Sequence, residues 1–357
     1  MFPQNSKGRS VKVDYILVGL GLAGLALSEE LQRRGRSFVV FEDGSQTSSL
    51  VAGGMYNPVI LKRFTAVWNA AEQLQLALPF YQGLERKLGG AYDEKLDILR
   101  VFKSVEEQNN WFMACDKPVL EDFMRPELVP LENPCLKAPY GAGRVMYTGR
   151  IRVKALLEDY RSYLRERGQL IFECFDYDRL EDHGLYLNYG DVQAGRIVFC
   201  EGNGLRSNPF FRDLPMTGTK GELLTIHAPQ LKLDMVLKSA IFIMPLGEDS
   251  YKVGATFNWH DKTNNPTRQG REELESKLAE VIACAYTVTG HEAGVRPTTG
   301  DRRPLLGTHA QDPKLALCNG LGTRGVMVGP LMAKKLIDHL EDGKELDREI
   351  SISRFGR

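Results

Sequence analysis

Apolar and polar positions change period several times along the chain, and the order of those changes predicts its architecture. Val13–Val18 is apolar apart from Asp14 near its start, the pattern of a buried strand, and GLGLAG follows it as a turn. From Leu22 to Arg34 apolar residues recur at helical spacing until Gly35 closes the helix, and Ser37–Glu42 is a second apolar run. These pieces form a βαβ unit of about thirty residues. A longer helical pattern covers Ala66–Lys87, and Leu96–Cys115 predicts a short strand followed by a helix. Past a region rich in Pro and Gly (Pro126–Gly143), Val153–Arg167 predicts a helix that ends at Gly168 and feeds an apolar strand, Leu170–Phe175.

The middle of the chain has a different texture. Tyr186–Cys200 and Gly221–Phe257 show short alternating apolar segments broken by Gly, Asp and Pro, which predicts antiparallel sheet. Helical spacing returns over Arg271–Tyr286; strands are expected near Leu305 and Leu315, and a helix from about Val326 to Leu340. At 357 residues the chain has room for about two domains of roughly 100–200 residues each.

Three glycines give the first segment a chemistry. A bare GxGxxG is a weak signal, but Gly19, Gly21 and Gly24 follow a predicted strand, open a predicted helix and precede Glu42 at the end of the next strand. In that setting Gly19 permits the tight turn, Gly21 lets a pyrophosphate approach the backbone, and Gly24 lets helix and strand pack closely. The N–H groups of the helix start, around Leu22 and Ala23, then face the phosphates. Glu42, with Asp43 beside it, is placed to accept hydrogen bonds from ribose hydroxyls.

The expected fold is therefore mixed α/β and α+β. A Rossmann-type domain is assembled from residues 1–90, 145–215 and 290–357, and an antiparallel-sheet domain for substrate from 91–144 and 216–289. Small residues just after the second strand (Ala52, Gly53 and Gly54, then Met55, within SSLVAGGMYNP) suit the close approach of a bulky ring, which favours FAD over NAD. The strand IVFCEG ends in Gly202, a second place for phosphate-side approach. GVRPTTGDRRPLLG (Gly294–Gly307) and NGLGTRGVMVGP (Asn319–Pro330) complete the set.

These blocks, in this order and across nearly the whole chain, resemble the D-amino-acid oxidase and glycine oxidase family of flavoenzymes. Every fixed position of the family pattern GxRPxTxDxxPxxG is filled by Gly294, Arg296, Pro297, Thr299, Asp301, Pro304 and Gly307. The resemblance implies an extended, buried FAD, with Gly322, Thr323, Arg324, Gly325 and Val326 near the pyrimidine edge of the flavin. It also implies that Arg296 pairs with a substrate carboxylate, a task that suits a planar guanidinium. Phe242 stands near a position where several relatives carry a tyrosine that contacts substrate, and Arg324 and Lys62 are weaker candidates for substrate contact. AGGMYNP and GLGTRG are also similar to the oxidase half of a bifunctional tRNA wobble-uridine modification enzyme.

The implied reaction is oxidation of a C–N bond in an amino acid or secondary amine, with oxygen or another acceptor taking the electrons. A tRNA side-chain oxidase and a flavin-binding redox sensor without turnover are the alternatives. Composition adds limits. Lys plus Arg and Asp plus Glu are 46 each, so no net field draws the chain to nucleic acid or anionic membrane. The six histidines and six cysteines show no metal-ligand spacing, and no metal is expected. The N-terminal MFPQNSKGRSVK lacks the apolar core of a signal peptide and no run approaches a membrane span, so a cytoplasmic protein with reduced thiols is expected. Cys174, Cys200 and Cys318 lie in apolar runs, which predicts packed thiols.

Overall fold

A computed structural model describes residues 11–356; the first ten residues of the polar N-terminal stretch lie outside it. Strand β1 (Val11–Val18), helix α1 (Leu22–Arg33) and strand β2 (Phe38–Phe41) form the first unit, β1 and β2 running parallel. The helix stops because Gly35 takes φ +68°, a left-handed conformation that a side chain would resist. β1 pairs in parallel on its other side with Val192–Phe199, which pairs in parallel with Leu315–Asn319. Apolar faces of α1, Ala70–Leu88, Val153–Glu166 and Gly325–Asp342 pack on one side of this sheet, while Phe175, Tyr189, Phe199 and Phe211 fill the other.

A second eight-stranded sheet runs in the order Thr287–Arg296, Thr219–His227, Ser250–Gly254, Phe242–Gly247, Val236–Lys238, Ile98–Val101, Ala142–Val145, Met124–Val129. Its pairs are antiparallel except Val236–Lys238 with Ile98–Val101. Helix Arg268–Ala279 covers one face, burying Leu274 and Leu278 among Leu224, Ile226 and Val253.

Several elements differ from the sequence reading. The helix expected over Ala66–Lys87 begins at Ala70, because Thr65–Ala66 pairs as a short strand with Val59–Ile60. That expected over Arg271–Tyr286 spans Arg268–Ala279, its start fixed where the Thr267 hydroxyl accepts from the Gly270 N–H. The strand expected over Leu170–Phe175 is two residues long, Leu170–Ile171; the chain then leaves the sheet edge, so Phe172 and Cys174 are exposed rather than packed. Cys200 and Cys318 are buried as expected. The segment Tyr186–Cys200 is antiparallel only at its start, since Val192–Phe199 is a central strand with parallel neighbours. The ten-residue strand Thr287–Arg296 has no clear alternation and went unpredicted; pairing with Thr219–His227 defines it.

Candidate active site

The glycine-bearing blocks converge on one surface. A Cβ on Gly19 would stand 2.8 Å from the Cys200 carbonyl oxygen, and one on Gly24 only 2.1 Å from the Gly19 oxygen, so the turn closes only with glycine at both. The Cys200 thiol donates to Gly19 O at 3.3 Å, joining the end of Val192–Phe199 to the turn. Gly21 precedes the first residue of α1, has no side chain to cap it, and faces Ser49, whose Oγ lies 3.4 Å from Leu22 N. Ala23 is buried behind it. From the C-terminal block, Gly325 approaches the Leu22 side chain, and a Cβ there would meet Leu22 Cδ1 at 2.9 Å.

The stretch after β2 links both sheets. Ala52 closes the short helix Ser48–Val51, and Met55 begins a strand paired with Arg150. Gly54 takes φ +73° against the backbone of Ile151, leaving no space for a side chain. Gly53 faces Phe242 and Met244, with an added Cβ 3.4 Å from Phe242 Cζ. Gly294 is crossed by Ser48 and Val51. Phe242 and Gly294, the latter two positions before Arg296 on its strand, thus reach the same segment from the second sheet.

Glu42 is buried and already engaged: one carboxylate oxygen accepts from Leu20 N at 2.5 Å, and the other from Gly44 N at 2.9 Å, with Arg161 at 3.5 Å. It shapes the turn while keeping acceptor capacity for a further donor. Asp43 is exposed and accepts from Ser45 N at 2.8 Å. Gly202 takes φ +55°, and its carbonyl accepts from Asn319 Nδ2 at 3.0 Å. Before it stands Glu201, which the sequence reading missed. Burial raises its carboxyl to about 6, against the opposing pull of donors from Tyr177 and Asn208.

Arg296 ends its strand with no carboxylate partner among the described residues. Its Nη1 donates to Thr256 O at 3.3 Å, its guanidinium lies 4.6 Å from the Phe257 ring centre, and its Nη2 occupies the space where Gly221 would carry a Cβ. Burial pulls its pKa down to about 10, so it stays charged at neutral pH. Lys252, also missed, reaches Glu292 at 2.8 Å on the same face of the second sheet; its residue in the strand pattern looks like an ordinary exposed charge. Arg324 precedes Gly325–Asp342, and burial with repulsion from Arg302 and Arg303 lowers its pKa. Gly322 N donates to Pro297 O at 3.0 Å, tying this loop to the segment just after Arg296. Thr323 is exposed, and the carbonyl of Val326 accepts from Tyr81 Oη at 2.8 Å. Lys62 is exposed.

The donor set fits a dinucleotide with a flat ring system. Gly21 supplies no side-chain cap to the helix start, where the Leu22 N–H makes one long bond, to Ser49 Oγ at 3.4 Å; the turn excludes side chains, and buried Arg161 Nε and Thr47 Oγ1, beside Glu42 and Ser48, have no partner within the described residues. Together the two sheets and this surface define a flavin-dependent oxidoreductase. The family model DAO, FAD dependent oxidoreductase, matches residues 14–339, and the chain belongs to that family. Glycine oxidase of Bacillus subtilis is 23% identical, covering 94% of each chain. The tRNA 5-methylaminomethyl-2-thiouridine biosynthesis bifunctional protein of Marinobacter nauticus is 22% identical over 91% of this chain and 55% of its own length. Among solved structures, glycine oxidase from Geobacillus kaustophilus superposes with a TM-score of 0.76 at 18% identity, covering 94% of this chain and 96% of its own. L-proline dehydrogenase from P. horikoshii superposes at 0.79 with 14% identity, covering 98% and 99%. Among the described residues no helix is long and apolar enough to cross a membrane.

Proposed function

We propose that the enzyme oxidises the C–N bond of an amino acid or secondary amine that carries a carboxylate. The observation that carries this reading is Arg296, a partly buried guanidinium with a carbonyl and an aromatic face for company and no anionic partner among the described residues. Leaving a desolvated cation unpaired is costly unless a ligand supplies the charge, and a bidentate carboxylate matches its geometry. FAD would supply the two-electron acceptor for the hydride of the carbon bearing the amine; the nitrogen lone pair of the neutral amine would form the C=N bond of an iminium ion, which water hydrolyses to a carbonyl and an ammonium product. The protein's task is then to hold a neutral amine with its C–H toward the ring and to exclude competing geometry. Phe242 and Met244 against Gly53 supply an apolar wall for that purpose.

FAD would be held by Gly19, Gly21, Leu22, Ala23 and Gly24 at its phosphates, by Glu42 with Asp43 at the ribose, by Ala52–Met55 and Gly322–Val326 around the ring, and by Gly202. This reading divides the chain into a FAD unit (1–90, 145–215, 290–357) and a substrate unit (91–144, 216–289). Six free thiols suit a reducing, cytoplasmic setting. Cys318, fully buried with its thiol pushed up to about 12 by burial, is poorly suited to a covalent flavin link.

A second reading, a tRNA side-chain oxidase, draws on the similarity to the Marinobacter nauticus protein and on two exposed aromatic rings that offer stacking surfaces, Phe257 (60%) beside Arg296 and Trp259 (50%) two residues on. Anaerobic mixing of the yellow protein with amino acids and N-alkyl glycines separates the two. Bleaching of the flavin band by a small amine supports the first; no bleaching, with salt-sensitive tRNA binding, refutes it in favour of the second.

A further inference from the structure

Lys220 is fully buried, and it lies on the opposite face of the second sheet from Arg296. Thr219 pairs with Arg296 and Lys220 with Val295, so the two side chains leave neighbouring positions in opposite directions. Lys220 Nζ donates to Asp261 Oδ2 at 2.5 Å, to Thr263 Oγ1 at 3.3 Å and to the carbonyl of Asn265. Its backbone also exchanges hydrogen bonds with Asn258, each at 2.9 Å. Two positions on, Glu222 accepts from Thr267 N and Thr267 Oγ1 at 2.8 and 2.7 Å, which fixes the far end of the same loop at the start of Arg268–Ala279. The loop 256–267 is therefore gripped along its length from beneath the sheet.

The near end of this loop crosses to the other face. Thr256 supplies the carbonyl that accepts from Arg296, and Phe257 supplies the ring against the guanidinium. Thr256 is itself held by the strand, its N–H donating to Glu222 O at 3.2 Å and its hydroxyl accepting from Glu222 N at 2.9 Å, whereas Phe257, the next residue, is 60% exposed. We propose that Lys220 is a positioning residue for substrate recognition: its buried ammonium sets the course of loop 257–265, and through the Phe257 ring the loop aims the Arg296 guanidinium. This rests on the reading that Arg296 receives the substrate carboxylate.

The mechanism predicts a split that a general packing role would not give. Lys220→Met keeps the stem volume and removes the donors, and Asp261→Asn weakens the same contact from the loop side without touching the core. With FAD retained, both should raise the hydrogen–deuterium exchange of the peptide spanning 256–267. They should also raise KM for the amine, and the Kd for benzoate read from the flavin band, by about tenfold for Lys220→Met and less for Asp261→Asn, with kcat within about twofold. In a Phe257→Ala background the Lys220→Met effect on benzoate should shrink, because the two act through one contact. Faster loop exchange with unchanged benzoate affinity overturns the proposal, as does a fall confined to kcat. Should Lys220→Met not fold, Asp261→Asn decides alone by the same two readouts. Arg296→Met serves as a separate control: benzoate binding that survives it sinks the carboxylate reading itself, whatever Lys220 does.

Discussion

Two cations, Lys220 buried and Arg296 partly buried, stand back to back on one pair of strands and are treated in opposite ways. Lys220 meets a carboxylate, a hydroxyl and a carbonyl, enough to satisfy all three of its N–H donors. Arg296 has five donors and one carbonyl at 3.3 Å. Both positions are held by the same pairing of Thr219–His227 with Thr287–Arg296, so local structure does not explain the contrast. What differs is the facing material: three polar groups of the loop on one side and, on the other, the Thr256 carbonyl and the exposed Phe257 ring. A saturated buried charge tightens a fold, while an unsaturated one is a place for a ligand, and the comparison separates the two roles within a few ångströms of backbone.

The largest expected effect breaks the open side of that contrast. Arg296→Met should lower substrate affinity by about 2–5 kcal/mol, as when one partner of a desolvated pair is removed. The flavin spectrum and reduction by dithionite should persist, while benzoate and acetate should no longer perturb the flavin band. Intact amine turnover together with intact carboxylate binding would point to a substrate without a carboxylate. Next comes the cradle. Gly24→Ala would push a methyl to 2.1 Å from Gly19 O, and a backbone oxygen cannot swing aside as a side-chain tip can. We expect a cost of about 1–3 kcal/mol and loss of FAD on gel filtration. An unchanged flavin-to-protein ratio and melting temperature would show that turn and helix separate more easily than their packing suggests.

How much of this was legible beforehand follows from the range of each interaction. The turn at Gly19–Gly24, the break at Gly35 and the positive φ of Gly54 and Gly322 are demands of local backbone, and glycine spacing announces them in the sequence. Arg296 was legible through its block. That it lacks an anion was not, because partners are set by which strands meet. Lys220 and Asp261 are 41 residues apart and Glu42 meets Arg161 from a different helix, so neither contact has a sequence signature. The strand Thr287–Arg296 was hidden for a related reason: Gly290, Gly294 and charged residues occupy positions that pairing and crossing segments require to be small or polar, which erases the period-two pattern. Cys174 shows the converse error, an apolar run that lies at a sheet edge and turns outward.

The smallest effect concerns a third way of treating a buried charge, with neutral donors only. Glu201, 9% exposed, accepts from Tyr177 Oη and from Asn208 Nδ2 at 2.8 Å, and no cation pairs with it among the described residues. Burial outweighs these donors and raises its carboxyl from 4.5 to about 6. The sign follows from linkage: between these values the folded state binds the proton more tightly than the unfolded chain, so the group's contribution to stability is complete below about 4.5 and is lost as pH rises through about 6. Glu201→Gln keeps an acceptor for Asn208, can reverse the polarity of the Tyr177 bond, and carries no charge to desolvate. Relative to the parent, the variant should therefore gain stability between pH 4.5 and pH 7, on the order of 1 kcal/mol, and the difference should level off above that range. Urea unfolding at pH 4.5, 5.5 and 7 reads this directly. A difference that stays flat across the range would mean that Tyr177 and Asn208 compensate the burial in full, placing Glu201 with Lys220 among the saturated charges.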